Sequence, residues 1–134
     1  CVVELESRIV AWNRVHLGNA DILDDLRTEV VVGDLYDFVQ GNPRSYDGIA
    51  IDIDNGPDWI VRTENRRVYS LSMLEMLRTR LRSGGVLSIW GHALLPSYMR
   101  ALGEVFESPE VQEVVDHDPS TGKVIECVVY VAQA

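Results

Sequence analysis

The sequence is short of lysine. Lys123 is the only one, and the 12 basic residues are outnumbered by 21 acidic ones, for a formal net charge of −9. So acidic a chain lacks the basic surface that phosphate-backbone binding requires, and nucleic acid is not an expected partner. An acidic surface favours approach of a cationic ligand, or serves solubility alone. Cysteine is scarce too. Cys1 and Cys127 lie far apart with no metal-ligand spacing, so neither a disulfide framework nor a metal centre is expected, and a reduced, cytoplasmic setting is the simple reading. No apolar run approaches the ~20 residues of a membrane span, and nothing resembles a signal peptide, so no membrane association is expected. Repeats, linkers and low-complexity stretches are absent. So is an initiator methionine: the chain opens directly in an apolar run, and an upstream segment is expected.

What is present fits one globular domain over residues 1–134, with 46% hydrophobic and 25% charged residues. Val2-Val3-Glu4-Leu5 reads as a short buried strand. Helical sequence follows to about Leu17, with Ile9, Val10 and Trp12 facing inward, and Gly18-Asn19 stops it. Glu29–Val32 suits a buried parallel strand. Leu35, Phe38 and Val39 recur at helical spacing. Tyr46–Ile53 is a third strand, broken by Asn55-Gly56-Pro57. Met73, Leu74, Met76, Leu77 and Leu81 form the face of a helix with a Ser72–Glu75 capping box, ended by Ser83-Gly84-Gly85. Val86–Trp90 is a fourth strand. Pro96 opens a helix with the stripe Leu95, Tyr98, Met99, Leu102 and Phe106. Val111–Val115 and Val124–Val131 then form an antiparallel hairpin around the turn-rich His117–Gly122.

Three strand–helix alternations predict an α/β, Rossmann-like fold: a mostly parallel sheet with helices on both faces and a C-terminal antiparallel hairpin. That closing hairpin is typical of S-adenosylmethionine-dependent methyltransferases and their relatives. Ligands of such sheets lie outside the carboxyl ends of the strands, where this sequence places Glu4 and Glu6, Gly33-Asp34, Asp52-Ile53-Asp54, and Trp90-Gly91-His92. Glu4 can accept two hydroxyl donors from a ribose, or be a helix-start acid. Gly33 lets the backbone approach a ligand, and Asp34, ahead of Leu35, can accept from an adenine amino group or cap the next helix. Asp52 and Asp54 can hold an ammonium group and take its proton, or merely form an Asp-Asn-Gly turn. His92 is either a base or an exposed loop histidine.

The same residues carry a family resemblance. Val2-Val3-Glu4-Leu5-Glu6, Val32-Gly33-Asp34, Tyr46-Asp47-Gly48-Ile49-Ala50-Ile51-Asp52, and the stretch from Tyr69 to Gly85-Val86-Leu87 resemble, in order, motifs of the spermidine synthase family. The resemblance spans about Val2 to Gly91. It implies ribose binding by Glu4, adenine recognition by Gly33, Asp34 and the adjoining Leu35, and Asp52 as catalytic base with Asp54 beside it. It further implies an S-adenosyl nucleoside as co-substrate rather than a tightly bound cofactor, a small-molecule amine as acceptor, and aminopropyl transfer from decarboxylated S-adenosylmethionine.

The family's Gly-rich loop and the strand before it have no counterpart, so a gap is expected between the strands ending at Glu4 and Asp52. An apolar edge left there favours a homodimer. Where the family has Ser-x-Asp-Pro, this chain reads Ile53-Asp54-Asn55-Gly56-Pro57, and Gly91-His92 replaces a glutamine. Methyl transfer at the same nucleoside site, and a non-catalytic nucleoside-binding domain, are the alternatives. A phosphoacceptor receiver is discounted because Lys123 lies in the final hairpin.

Overall fold

The β-branched runs form strands and the amphipathic segments form helices in a computed structural model that describes every residue except Asp118 and Pro119. The turn read at His117–Gly122 therefore lies partly outside the described residues. Contacts group the chain into two units, Cys1–Asn42 and Pro43–Ala134.

The first unit contains β1 (Val2–Glu4), α1 (Ser7–Val15), α2 (Ala20–Leu23), β2 (Val30–Val32) and α3 (Leu35–Gly41). β1 and β2 run parallel, with Val2 opposite Val30 and Glu4 opposite Val32. The strands are not the buried ones expected: Val2 and Val32 are exposed. Nor do Ile9 and Trp12 face inward, being 38% and 51% exposed; of α1 only Val10 is buried. The cause is size, since two paired strands of three residues offer too little apolar surface to cover a helix face.

The second unit contains β3 (Tyr46–Ile51), a 3₁₀ helix (Thr63–Tyr69), α4 (Leu71–Thr79), β4 (Leu81–Gly91), α5 (Pro96–Val105), β5 (Glu107–His117) and β6 (Val124–Gln133). Its sheet runs β3-β4-β6-β5. β3 and β4 are parallel, whereas β6 lies antiparallel to both β4 and β5, so the expected closing hairpin is present. Met73, Leu74 and Leu77 bury one face of α4 completely, at helical spacing. Tyr98, Leu102 and Phe106 do the same for α5, and Ile51, Leu87, Ile89, Tyr130 and Ala132 supply the strand side of the core. The chain is thus mixed α/β, with parallel pairs followed by an antiparallel hairpin. Among the described residues no helix is long and apolar enough to cross a membrane.

Two local expectations are corrected. Ser70, not Ser72, caps α4: its backbone is extended and its hydroxyl accepts from the Met73 amide at 3.2 Å. Ser72 lies inside the first turn, its hydroxyl 3.0 Å from that of Ser70, so the Ser72–Glu75 capping box does not form. The 3₁₀ helix ending at Tyr69 delivers Ser70 to the cap position first. Second, α4 ends at Thr79, and Ser83-Gly84-Gly85 lies within β4, which begins at Leu81 rather than Val86. The end of the chain draws these glycines into the ladder: Gly84 N donates to Ala134 O at 2.7 Å, and Ala134 N donates to Gly85 O at 2.9 Å.

Candidate functional site

In the first unit the parallel ladder brings Glu4 and Gly33 side by side. Gly33 N donates to Glu4 O at 3.0 Å, one step beyond the last paired residues of β1 and β2. Glu4 Oε1 accepts from Glu6 N at 2.8 Å, which turns the half-buried carboxylate back over the start of α1. A Cβ built on Gly33 would meet nothing within 4 Å, so no neighbour in the chain demands glycine there. The space over its backbone is open for a ligand's close approach. Asp34 is the N-cap of α3, its Oδ1 accepting from Tyr36 N at 2.8 Å and Asp37 N at 3.2 Å. The capping role weighed from the sequence is therefore realised. Leu35, half-buried, is the first helical residue. Glu4, Gly33, Asp34 and Leu35 thus meet at one end of one two-stranded ladder.

In the second unit the carboxyl ends of β3 and β4 carry a denser arrangement. Asp52 is exposed and stands immediately past β3. Asp54 has φ 55, a left-handed conformation that aspartate tolerates better than most residues. Its Oδ2 accepts from Asn65 Nδ2 at 2.9 Å. Between the two, the Ile53 carbonyl accepts from the Tyr69 hydroxyl. Burial pushes the Tyr69 phenol well above its usual range, and the negative charges of Asp54 and Asp52 raise it further. It therefore remains a donor, and it pins the segment that carries both aspartates.

The loop beyond is tied to the end of β4. Gly56 has φ +110, and a Cβ there would lie 2.9 Å from Gly91 Cα, so only glycine permits this approach. His92 N and His92 Nδ1 both reach Asn55 O at 2.9 Å. Asp58 Oδ1 lies 3.7 Å from the same Nδ1, and the Trp59 ring meets the imidazole edge-on at 5.1 Å. Tyr130 clamps the far side of this loop, donating to Ala93 O at 2.9 Å and accepting from Leu95 N at 2.8 Å. Tyr98 stacks edge-on between Tyr69 and Tyr130, at 6.0 Å and 5.3 Å.

Asp52, Asp54 and His92 are legible from the sequence; Asn65, which bonds Asp54, Tyr69, which bonds Ile53, Asn55, which bonds His92, and Tyr130, which fixes the loop after it, are not. Asn55 and Gly56 are legible only as strand-breaking turn residues, and Tyr69 only as the start of the last family-like stretch. Nothing in their spacing marks long-range hydrogen bonds. Among the described residues, no three His, Cys, Asp or Glu side chains gather as a metal site would require.

No family model matches the sequence. Among curated proteins, 96 residues are 31% identical to Polyamine aminopropyltransferase 2 of Pseudomonas aeruginosa, a match covering 67% of this chain and 26% of that protein. The chain thus spans about a quarter of the length of the curated relative it matches. Among solved structures, spermidine synthase from Thermotoga maritima superposes with a TM-score of 0.69 at 17% identity, over 98% of this chain and 44% of that one. Human Methyltransferase-like protein 13 in complex with SAH gives a TM-score of 0.75 at 17% identity, over 98% and 60%. A spermidine synthase in complex with the transition state analogue AdoDATO gives 0.67 at 17% identity, over 98% and 43%.

The fold is accordingly the Rossmann-like one of methyltransferases and spermidine synthases. Within it, the 31% identity to the Pseudomonas protein supports kinship with the spermidine synthase, or polyamine aminopropyltransferase, family.

Proposed function

We propose that the protein transfers an aminopropyl group from decarboxylated S-adenosylmethionine to a small amine, with residues 1–134 acting as one nucleoside-binding domain. One observation carries the reading. Asp52 and Asp54 stand at the end of β3 and, among the described residues, neither is paired with a basic side chain. Two unneutralised carboxylates two residues apart invite a cation, and an alkylammonium supplies it with matching hydrogen-bond donors. The kinship with an aminopropyltransferase supports the same choice.

In this reading Glu4 accepts from the ribose hydroxyls, Gly33 and Leu35 line the nucleoside, and Asp34 adds recognition of adenine to its capping role. Asp52 and Asp54 hold the amine, and Asp52 occupies the family's base position. In this reading Asp52 takes a proton from the held ammonium, and the freed nitrogen lone pair forms a bond to the carbon next to sulfonium. The carbon–sulfur bond breaks with its electron pair going to sulfur, and methylthioadenosine leaves. Orientation does most of the work, because a held amine is already paired with its electrophile.

Methyl transfer is the second reading, favoured by the TM-score of 0.75 to a methyltransferase in complex with SAH. Calorimetric titration of the full-length protein with methylthioadenosine and with S-adenosylhomocysteine tests the nucleoside site and separates the readings. Preference for methylthioadenosine, weakened at least about tenfold (about 1.4 kcal/mol) in Asp34→Ala, supports aminopropyl transfer. Preference for S-adenosylhomocysteine supports methyl transfer. Binding of neither refutes both.

A further inference from the structure

The two aspartates after β3 are held in different ways, and one short 3₁₀ helix supplies both holds. We infer that Asn65 and Tyr69 are positioning residues: Asn65 fixes Asp54 as the anchor of the substrate ammonium, and Tyr69 fixes Asp52 where it takes the proton. This division of work rests on the aminopropyl-transfer reading and deepens it.

Asp54 is gripped by its side chain. A carboxylate only accepts, so the 2.9 Å contact makes Asn65 Nδ2 the donor and Asp54 Oδ2 the acceptor. Among the described residues Oδ1 has no hydrogen-bond partner. A carboxylate held at one oxygen presents the other in a fixed direction, which suits it to receive an ammonium N–H. The backbone of Asp54 is committed as well, with φ 55. A residue other than glycine keeps that conformation only where its surroundings determine it. Here the Asn65 amide holds the side chain, and the Tyr69 hydroxyl holds the carbonyl just before it.

Asp52 is gripped by its backbone instead. Its side chain is exposed, and among the described residues neither carboxylate oxygen has a partner. On one side Ile51 is paired with Ile89 in the sheet, and on the other the Ile53 carbonyl accepts from Tyr69. Burial raises the Tyr69 phenol, and the charges of Asp54 and Asp52 raise it further, which places its hydroxyl near both carboxylates. The Tyr69 ring is itself buried and meets Tyr98 edge-on at 6.0 Å. A base with its backbone fixed on either side and both oxygens open can take a proton without losing a bond.

The step balances. The ammonium N–H bond breaks, Asp52 gains the proton, and the freed nitrogen lone pair forms the new carbon–nitrogen bond. The carbon–sulfur electron pair departs with methylthioadenosine, and Asp52 passes its proton to water.

The test uses the full-length protein with decarboxylated S-adenosylmethionine and putrescine. Asn65→Ala should raise the KM for putrescine about tenfold, the worth of a hydrogen bond to a charged group, with kcat within about threefold. Asp54→Gly, whose glycine adopts φ 55 freely, should raise KM at least as much. Adding Asn65→Ala to Asp54→Gly should then change KM by less than about twofold, because Asn65 acts only through that carboxylate. Tyr69→Phe keeps the ring and loses the hydroxyl, so kcat should fall about tenfold or more with KM changed far less. Losses that multiply in the double variant, or a Tyr69→Phe enzyme within about twofold of wild-type kcat, overturn the inference.

If the wild type releases no methylthioadenosine, the aminopropyl-transfer reading itself fails, and calorimetric binding of putrescine then decides the anchoring role. A Kd weakened about tenfold by Asn65→Ala in the wild type, but unchanged by it in Asp54→Gly, supports Asn65 acting through Asp54. A Kd for Asn65→Ala equal to that of the wild type overturns it.

Discussion

The two units rest their candidate residues on unequal foundations. In Cys1–Asn42, Val10 and Val39 are the buried apolar residues among those described, and strands of three residues carry Glu4 and Gly33. In Pro43–Ala134 a four-stranded sheet and two helices bury Met73, Leu74 and Leu77 to 0% exposure, and the same sheet carries Asp52 and His92 at its strand ends. A unit of some forty residues is near the lower limit for folding on its own core. Asp52 and His92 thus sit on a well-packed sheet, while Glu4 and Gly33 sit on a small element with little buried core.

That contrast can be broken most sharply in the core. Leu77→Ala should cost about 2–5 kcal/mol, read as a shift in the denaturation midpoint, because it opens a cavity in a fully packed layer. Ile9→Ala, at a position 38% exposed in the first unit, should cost about 0.5 kcal/mol. Equal losses would show that the first unit is as well founded as the second.

A second contrast appears at alkaline pH. Tyr69, Tyr98 and Tyr130 all lie in the second unit, and burial is the foremost cause raising each phenol above its usual range. Folding therefore favours the protonated form. The associated stability is complete below the unfolded phenol value near ~10 and is lost as pH rises through the folded one. Denaturation followed from pH 8 to 11 should show stability falling above about pH 10, with a shallower fall in Tyr69→Phe. A pH-independent midpoint across that range would contradict the packing described.

The smallest effect sharpens the first unit. Asp34→Ala should destabilise α3 by about 1 kcal/mol, whereas Asp34→Ser keeps an N-cap and should cost only a few tenths, read by amide exchange at Tyr36 and Asp37. If both variants weaken methylthioadenosine binding to the same degree, the carboxylate has a ligand role apart from the cap. If Asp34→Ser binds normally, capping is its whole contribution.

How far the sequence could be read follows from the range of the forces involved. Parallel strands, the α4 and α5 faces and the closing hairpin were legible because apolar periodicity reports directly which face is buried. Pro96 marked the start of α5 for an equally local reason. The α4 cap went to Ser70 because the preceding 3₁₀ helix decided which serine arrived there, and Gly84-Gly85 joined β4 through bonds to Ala134, at the other end of the unit. Ile9 and Trp12 have the spacing of a buried face but too small a sheet to cover. At the site, carboxylates at strand ends were readable from position alone. The clasp of Asn55 on His92, 37 residues apart, and of Tyr69 on Ile53 depends on tertiary geometry that no spacing rule encodes.

The central claim is aminopropyl transfer, and product analysis tests it most directly. The full-length protein would be incubated with decarboxylated S-adenosylmethionine and putrescine, and separately with S-adenosylmethionine and putrescine, and the nucleoside products separated. The account predicts methylthioadenosine together with an aminopropylated diamine in the first reaction, and no S-adenosylhomocysteine in the second. S-adenosylhomocysteine in the second reaction, with no methylthioadenosine in the first, would contradict it and make the protein a methyltransferase.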